Sequence, residues 1–162
     1  MEILKIFIPF TFFLISCISQ EGKQLKSDNQ ISGTVIKIVD GDTFDILTQQ
    51  NQTIRIRMNG IDCPEKKQDY YSVAKTKLGD YIFNKVVEII TFGKDRYKRT
   101  IANVFVDNKN INVAMVRNGY AWHYKKYSTD PILAEAEKEA RLSKRGLWAK
   151  SNPIPPWEFR HK

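Results

Sequence analysis

From Ile31 onward, apolar side chains recur at every second position. Thr34-Val35-Ile36-Lys37-Ile38-Val39 reads as a strand, and Asp40-Gly41-Asp42 is a turn into a second strand over Thr43–Thr48. Gln49–Gln52 is a polar connection. Thr53–Met58 then alternates without a break, with Ile54, Ile56 and Met58 on one face and Arg55 and Arg57 on the other. An antiparallel meander is the simplest arrangement for these three. Between Tyr70 and Lys85 the period lengthens to that of a helix, with Ala74, Leu78, Ile82 and Phe83 in one stripe. Val86–Phe92 and Thr100–Val106 return to strand composition around a polar turn at Gly93–Arg99, and Asn108-Lys109-Asn110 makes a further turn. Ile111–Asn118 is a short helix that Gly119 can end in a left-handed conformation. Asp130-Pro131 supplies an N-cap and a first-turn proline for a helix from Leu133 to Leu142, closed by Gly146. The tail Asn152–Trp157 carries three prolines, cannot continue a helix and is expected to lie along the surface.

Five strands, one helix between the third and fourth and two after the fifth predict an α+β fold. The order suits a five-stranded closed Greek-key β-barrel of the oligonucleotide-binding type with about three helices. The beginning of the chain departs from this pattern. Residues 6–15 are an apolar run that ends at Ser16-Cys17, too short for a membrane-spanning helix, which needs about 20 apolar residues. It reads as the core of a signal peptide. Leu14-Ile15-Ser16-Cys17 resembles a bacterial lipobox, in which the cysteine is acylated. An ordinary secretory signal is the alternative. The expected organisation is therefore a signal peptide over 1–16, lipidated Cys17 and a polar tether over 17–30, a domain over 31–150, and a Pro/Trp-containing tail over 151–162. With Cys17 lipidated, Cys63 has no partner for an internal disulfide. The protein is expected to be exported and held on a membrane by its lipid, or otherwise secreted, as a monomer.

Composition adds a partner class. The 162 residues carry 26 Lys and Arg against 18 Asp and Glu, a formal net charge of +8, which fits nucleic acid, anionic lipid or simple solubility. With 42% hydrophobic residues the chain can build a core, so wholesale disorder is excluded.

The candidate chemistry lies in two acidic segments. Asp40-Gly41-Asp42 invites a calcium-loop reading, but counted from Asp40 the fifth, sixth and twelfth positions are Phe44, Asp45 and Asn51, so an EF-hand fails. Taken alone, this segment is better read as a plain turn between two strands. Gly60-Ile61-Asp62-Cys63-Pro64-Glu65 follows the arginine-bearing strand and places two more carboxylates beside a turn; its bland reading is a strand terminator. Hard oxygen donors at a sheet edge suit Ca²⁺ or Mg²⁺, and His123 and His161 offer no zinc spacing with Cys63. Arginine binds phosphate with a planar fork that never loses its charge, although a solvated basic face accounts for many arginines on a chain this basic. Arg55 and Arg96 are read that way.

Val39–Thr43, Arg57–Glu65, Asp95-Arg96-Tyr97-Lys98-Arg99 and Val113–Tyr120 together resemble, in order and spacing, the thermonuclease (staphylococcal nuclease-like) family, over about residues 31–150. The resemblance implies a barrel that hydrolyses DNA and RNA with Ca²⁺, preferring single strands and leaving 3′-phosphates. It implies Asp42 and Asp62 as direct metal ligands, with the main-chain carbonyl of Cys63 as a third and Asp40 in support of the loop. Glu65 would orient or deprotonate the attacking water, and Arg57 and Arg99 would bind the scissile phosphate. Tyr97 and Lys98 match the phosphate side, although Lys98 stands where the family commonly has glycine, which puts the approach of Arg99 in question. Trp122 and Tyr124 fall in the base-stacking region, where aromatic rings take bases without regard to sequence; Tyr120 is assigned to packing.

Two other classes compete. A non-catalytic nucleic-acid-binding module on the same barrel needs only the charge and the aromatics. A lipoprotein with a structural role at the membrane surface accounts for the charge and Cys17 but not for the carboxylate–arginine pattern.

Overall fold

The computed structural model describes residues 29–161. The expected signal segment, the lipidation site Cys17 and nearly all of the tether lie outside the described residues. Among the described residues no helix is long and apolar enough to cross a membrane.

The first three strands are β1 (Gln30–Asp40), β2 (Thr43–Thr48) and β3 (Thr53–Met58), and they pair antiparallel in sequence order. A two-residue strand β4 (Ile61–Asp62) leads through a loop to helix α1 (Tyr71–Ile82). β5 (Val86–Lys94) returns to pair with β1, and β6 (Thr100–Val106) pairs with β5. β6 also runs parallel to β3, with Ile56 opposite Thr100 and Met58 opposite Ala102. That pairing closes β1, β2, β3, β5 and β6 into a mixed five-stranded barrel. Closure leaves none of the five with a free edge.

The alternation read from the sequence is what fills the barrel. Phe44, Ile46, Ile56, Met58, Val87, Ile89, Ala102 and Val104 point inward and are buried. Ala74, Leu78 and Ile82 place α1 on this core. Truncating one of these large side chains to alanine is expected to cost about 2–5 kcal/mol, because the close-packed surroundings relax only in part.

Several elements differ from the sequence expectation. The turn after β6 is made by Asp107 and Asn108, both at positive φ, and Lys109–Asn110 forms a short strand β7 on β6. Asn110 then caps helix α2 (Ile111–Arg117) by accepting the Val113 N–H at 3.1 Å. Strand β8 (Trp122–His123) pairs with β4, and helix α3 (Pro131–Leu142) is capped by Asp130, as the Asp-Pro signal implied. Gly146 does not close α3. The helix ends through Ser143 and a left-handed Lys144, and Gly146 begins a 3₁₀ turn over Gly146–Ala149. The reason for glycine there is proximity: a Cβ on Gly146 would lie 2.2 Å from the Gly119 carbonyl oxygen. Finally, the tail makes a one-turn helix α4 (Pro156–Phe159), with Pro156 buried and Trp157 packed on the body of the domain, instead of trailing over the surface.

Candidate active site

The β1–β2 turn, the end of β3 and the short β4 meet at one end of the barrel. Gly41 sits at the tip of the turn because nothing larger fits: a Cβ there would be 2.8 Å from the Cys63 Cβ and 2.9 Å from the Ala74 Cβ. The close approach puts Asp42 next to the Asp62-Cys63 segment. The Cys63 N–H donates to Asp42 Oδ2 at 2.9 Å and the Cys63 thiol to the Gly41 carbonyl at 3.1 Å. Thr43 donates its hydroxyl to Asp42 Oδ1 at 3.0 Å.

Arg57 joins the two acids. It lies opposite Thr43 on β3. Its Nη2 is 3.1 Å from Asp42 Oδ2 and 2.9 Å from Asp62 Oδ1, and its Nη1 donates to the carbonyls of Met58 and Ile61, both at 2.8 Å. Asp62 is 1% exposed and Asp42 7%. Carboxylates as buried as these keep their charge only with a partner at hand. Burial works against the Arg57 charge, but Asp42 and Asp62 outweigh it and hold its pKa above the usual value. Burial raises the pKa of Asp62, opposed by a bond from Arg160. Asp40 is pushed up to about 6, first by burial and then by the charge of Asp42.

Glu65 stands in the loop after β4. Its N–H donates to Gln68 Oε1 at 2.9 Å, and its carboxylate meets the guanidinium of Arg160. The same arginine donates Nη2 to Asp62 Oδ2 at 2.8 Å, from 98 residues farther along the chain. Sequence reasoning missed Arg160. The available signal was Trp157, a large apolar ring in a polar tail, whose packing on Tyr124 and Trp122 brings the tail to the site.

Arg99 enters from the other side of β3, one residue before Thr100, which pairs with Ile56. Asp95 holds it through Nε at 2.7 Å while accepting the Arg99 and Tyr97 N–H groups with its other oxygen. Both Arg99 Nη atoms make no hydrogen bond among the described residues. Lys98 takes φ +65, so the chain keeps the left-handed turn without glycine, and Arg99 still enters β6. Tyr97 is exposed, with the Arg96 and Arg99 guanidinium carbons 4.8 and 5.5 Å from its ring centre. Arg55 forms a two-bond pair with Asp45 at 2.8 and 3.0 Å and stays outside the site.

The aromatic expectations divide. Trp122 is buried among Trp148, Trp157 and Arg141, with ring centres 4.2 Å and 5.5 Å from those of Trp148 and Trp157. It is therefore corrected from base-stacking to packing, since a ring only 6% exposed has no open face for a base. Tyr124 is half-buried, and Trp157 covers one of its faces in a parallel stack at 5.1 Å. Tyr124 borders a groove of about 620 Å³ with Lys125, Lys126 and Arg141. A cleft of about 670 Å³ between α1 and β1 shares no residue with the acidic cluster.

A family model described as staphylococcal nuclease homologue matches residues 55–150, more than half of the chain. The chain belongs to the staphylococcal nuclease family. Among other members, an uncharacterized endonuclease of Escherichia coli O157:H7 is 39% identical over 160 residues, covering 98% of this chain and 99% of the relative. An uncharacterized endonuclease of Haemophilus influenzae is 45% identical over 128 residues, 79% of this chain and 72% of its own. A micrococcal nuclease of Shigella flexneri is 40% identical over 139 residues, 79% of each chain. Staphylococcal nuclease-like proteins are generally metal-dependent, and the donors here allow one kind of metal site. Among the described residues no group of three or more His, Cys, Asp or Glu side chains gathers as a metal cage. The Cys63 thiol is buried behind the turn, with its pKa raised well up by burial, and offers no ligand. Asp42 and Asp62, however, both reach one cationic nitrogen, so a hard cation could bridge them. Such a two-carboxylate site suits an oxygen-loving ion that takes its remaining ligands from water, main chain and substrate.

Proposed function

We propose that this member of the staphylococcal nuclease family is a calcium-dependent endonuclease that hydrolyses DNA and RNA with little sequence specificity. The observation that carries the reading is the convergence of Asp42 and Asp62 on Arg57, with Glu65 brought beside Asp62. Asp42, Asp62 and the main-chain carbonyl of Cys63 would hold Ca²⁺, which supplies positive charge against the phosphate and lowers the pKa of water. Glu65 accepts the proton of the attacking water at its carboxylate. The water oxygen forms a bond to phosphorus while the bond from phosphorus to the 5′ oxygen breaks; that oxygen takes a proton from solvent and departs as the 5′-hydroxyl, leaving a 3′-phosphate. Arg99 offers its two Nη atoms to the phosphate oxygens, oriented by Asp95. Arg57, with both Nη atoms engaged, contributes mainly by its charge beside the reacting group and by holding the two acids together. Tyr97 and Lys98 flank the phosphate, and Tyr124 and the basic groove beside it receive the departing strand. Four carboxylates (Asp40, Asp42, Asp62 and Glu65) face two guanidiniums (Arg57 and Arg160), and a divalent cation would offset the excess of acids. Export and anchoring through lipidated Cys17 would place the activity at a membrane surface, on a monomer.

A non-catalytic nucleic-acid-binding module has one observation in its favour, the pairing of both acids with arginines. Cleavage separates the two. The wild type should degrade single-stranded DNA with Ca²⁺ and leave it intact with chelator, and Glu65→Gln should lower the rate by about 10²-fold or more. DNA left intact by the wild type under every divalent ion would sink the enzyme reading. For the anchor, Cys17→Ala should release the protein from membranes; a variant that stays bound refutes lipidation.

A further inference from the structure

Arg160 is the one charged group at the acidic cluster to which the nuclease reading gives no task. Its setting is that of a built part. Trp157 fixes the tail by stacking on Tyr124 and meeting Trp122 edge-on, and Pro156 is buried. Gln68 ties the tail to the Glu65 loop a second time: its Oε1 accepts the Glu65 N–H at 2.9 Å while its Nε2 donates to the Ile154 carbonyl at 2.6 Å. The guanidinium held there spans two acids from different elements, with Nη2 on Asp62 Oδ2 at 2.8 Å and Nη1 on Glu65 and 3.4 Å from Asp62 Oδ1. Among the described residues, Arg160 is the only side chain bonded to the Glu65 carboxylate. Glu65 stands in an irregular loop with its side chain 38% exposed, so without that bond it is free to sample rotamers. The planar fork also holds two neighbouring carboxylates in a fixed relation, which the point charge of a lysine does less well.

We propose that Arg160 is a positioning residue of the catalytic centre: from the docked tail it holds the Glu65 carboxylate beside Asp62, in the orientation from which Glu65 takes the proton of the attacking water. The inference rests on the nuclease reading above. It makes residues 154–160 part of the active site, beyond the matched span of 55–150.

The test is a double-mutant cycle on Arg160 and Glu65, read in single-stranded DNA cleavage with Ca²⁺ and in folding stability with chelator. Arg160→Ala should lower kcat by about 10- to 100-fold with KM within about threefold, the scale of a misplaced catalytic group. Arg160→Lys should recover part of the loss. In the Glu65→Gln background the same Arg160→Ala change should cost less than about twofold, because the group it positions is no longer a base. Hydrogen exchange over residues 154–160 reports whether the tail stays docked; should it undock, Arg160→Gln replaces the alanine variant. An equal loss in both backgrounds overturns the proposal, since Arg160 would then act apart from Glu65. A gain in activity overturns it too, by making the contact an inhibitory latch. A wild type that cleaves nothing refutes the nuclease reading instead. The stability cycle then still decides the contact: coupling of about fivefold or more in the folding constant supports the Arg160–Glu65 clamp, and none refutes it.

Discussion

Replacing Arg57 by alanine leaves two buried acids facing each other. The guanidinium makes four contacts of 2.8–3.1 Å, two to carbonyls and two to carboxylates, with its side chain only 15% exposed. Removing one partner of a buried ion pair costs about 3–5 kcal/mol, most of it from the charge left behind. Here Asp62 retains Arg160, and Asp42 retains the Cys63 N–H and the Thr43 hydroxyl, which places the loss near 3 kcal/mol, or about 10 °C in Tm. Urea unfolding in chelator, followed by tryptophan fluorescence, measures it. Adding Asp62→Asn to Arg57→Ala should recover about 1 kcal/mol, because one of the two uncompensated charges is gone. Ca²⁺ should stabilise Arg57→Ala more than the wild type by taking the guanidinium's place between the acids. A loss below about 1 kcal/mol, or a double variant as weak as the sum of the singles, would refute the view that Arg57 is the buried counter-ion of these acids.

Asp40 carries a pH dependence. With a folded pKa of about 6 against 3.8, it keeps its proton between those values while the unfolded chain has lost it, so this group lowers stability as pH rises through the window. Asp40→Asn should remove that fall and add about 3 kcal/mol at neutral pH in chelator, read from urea midpoints at pH 4 and pH 7; an unchanged slope contradicts the burial of its carboxyl. Lys98→Gly should relieve a left-handed backbone at φ +65, raising stability by about 0.5–1 kcal/mol net of the extra chain entropy of glycine. A drop in thermal midpoint would show that the Lys98 side chain contributes more than its backbone costs. Cys63, buried with its thiol pKa raised, should resist a thiol-specific disulfide reagent in the native protein and react fully in denaturant. Prompt native labelling would mean that the Gly41–Cys63 contact opens readily.

The parts of the fold that were legible are those in which one strand reports its own burial. β2, β3 and β6 run over the spans that alternation marked, and the Asp130-Pro131 signal placed the start of α3 within two residues. Barrel closure by the parallel β3–β6 pair follows from the five-strand count only by analogy, because no local pattern encodes it. Lys144 and Gly146 exchanged roles because a glycine can be demanded by a distant backbone, here the Gly119 carbonyl, as well as by its own φ. In the site, Asp42, Asp62, Glu65 and Arg57 came together as their spacing around two turns implied. Trp122 went the other way, since an aromatic ring looks the same in sequence whether it serves a base or a core. Arg160 belongs to none of the motifs: its partners, Asp62 and Glu65, lie 98 and 95 residues away, and only the docking of the tail through Trp157 brings them together.

The central claim is that Asp42 and Asp62 together hold the divalent ion on which cleavage depends. The direct measurement is the initial rate of single-stranded DNA cleavage against Ca²⁺ concentration, for the wild type beside Asp42→Asn. The expected result is saturation in Ca²⁺ for the wild type, and for the variant a half-saturating concentration raised by about tenfold or more with a lower plateau. Superimposable Ca²⁺ curves for the two proteins, or wild-type cleavage undiminished by chelator, would contradict the account.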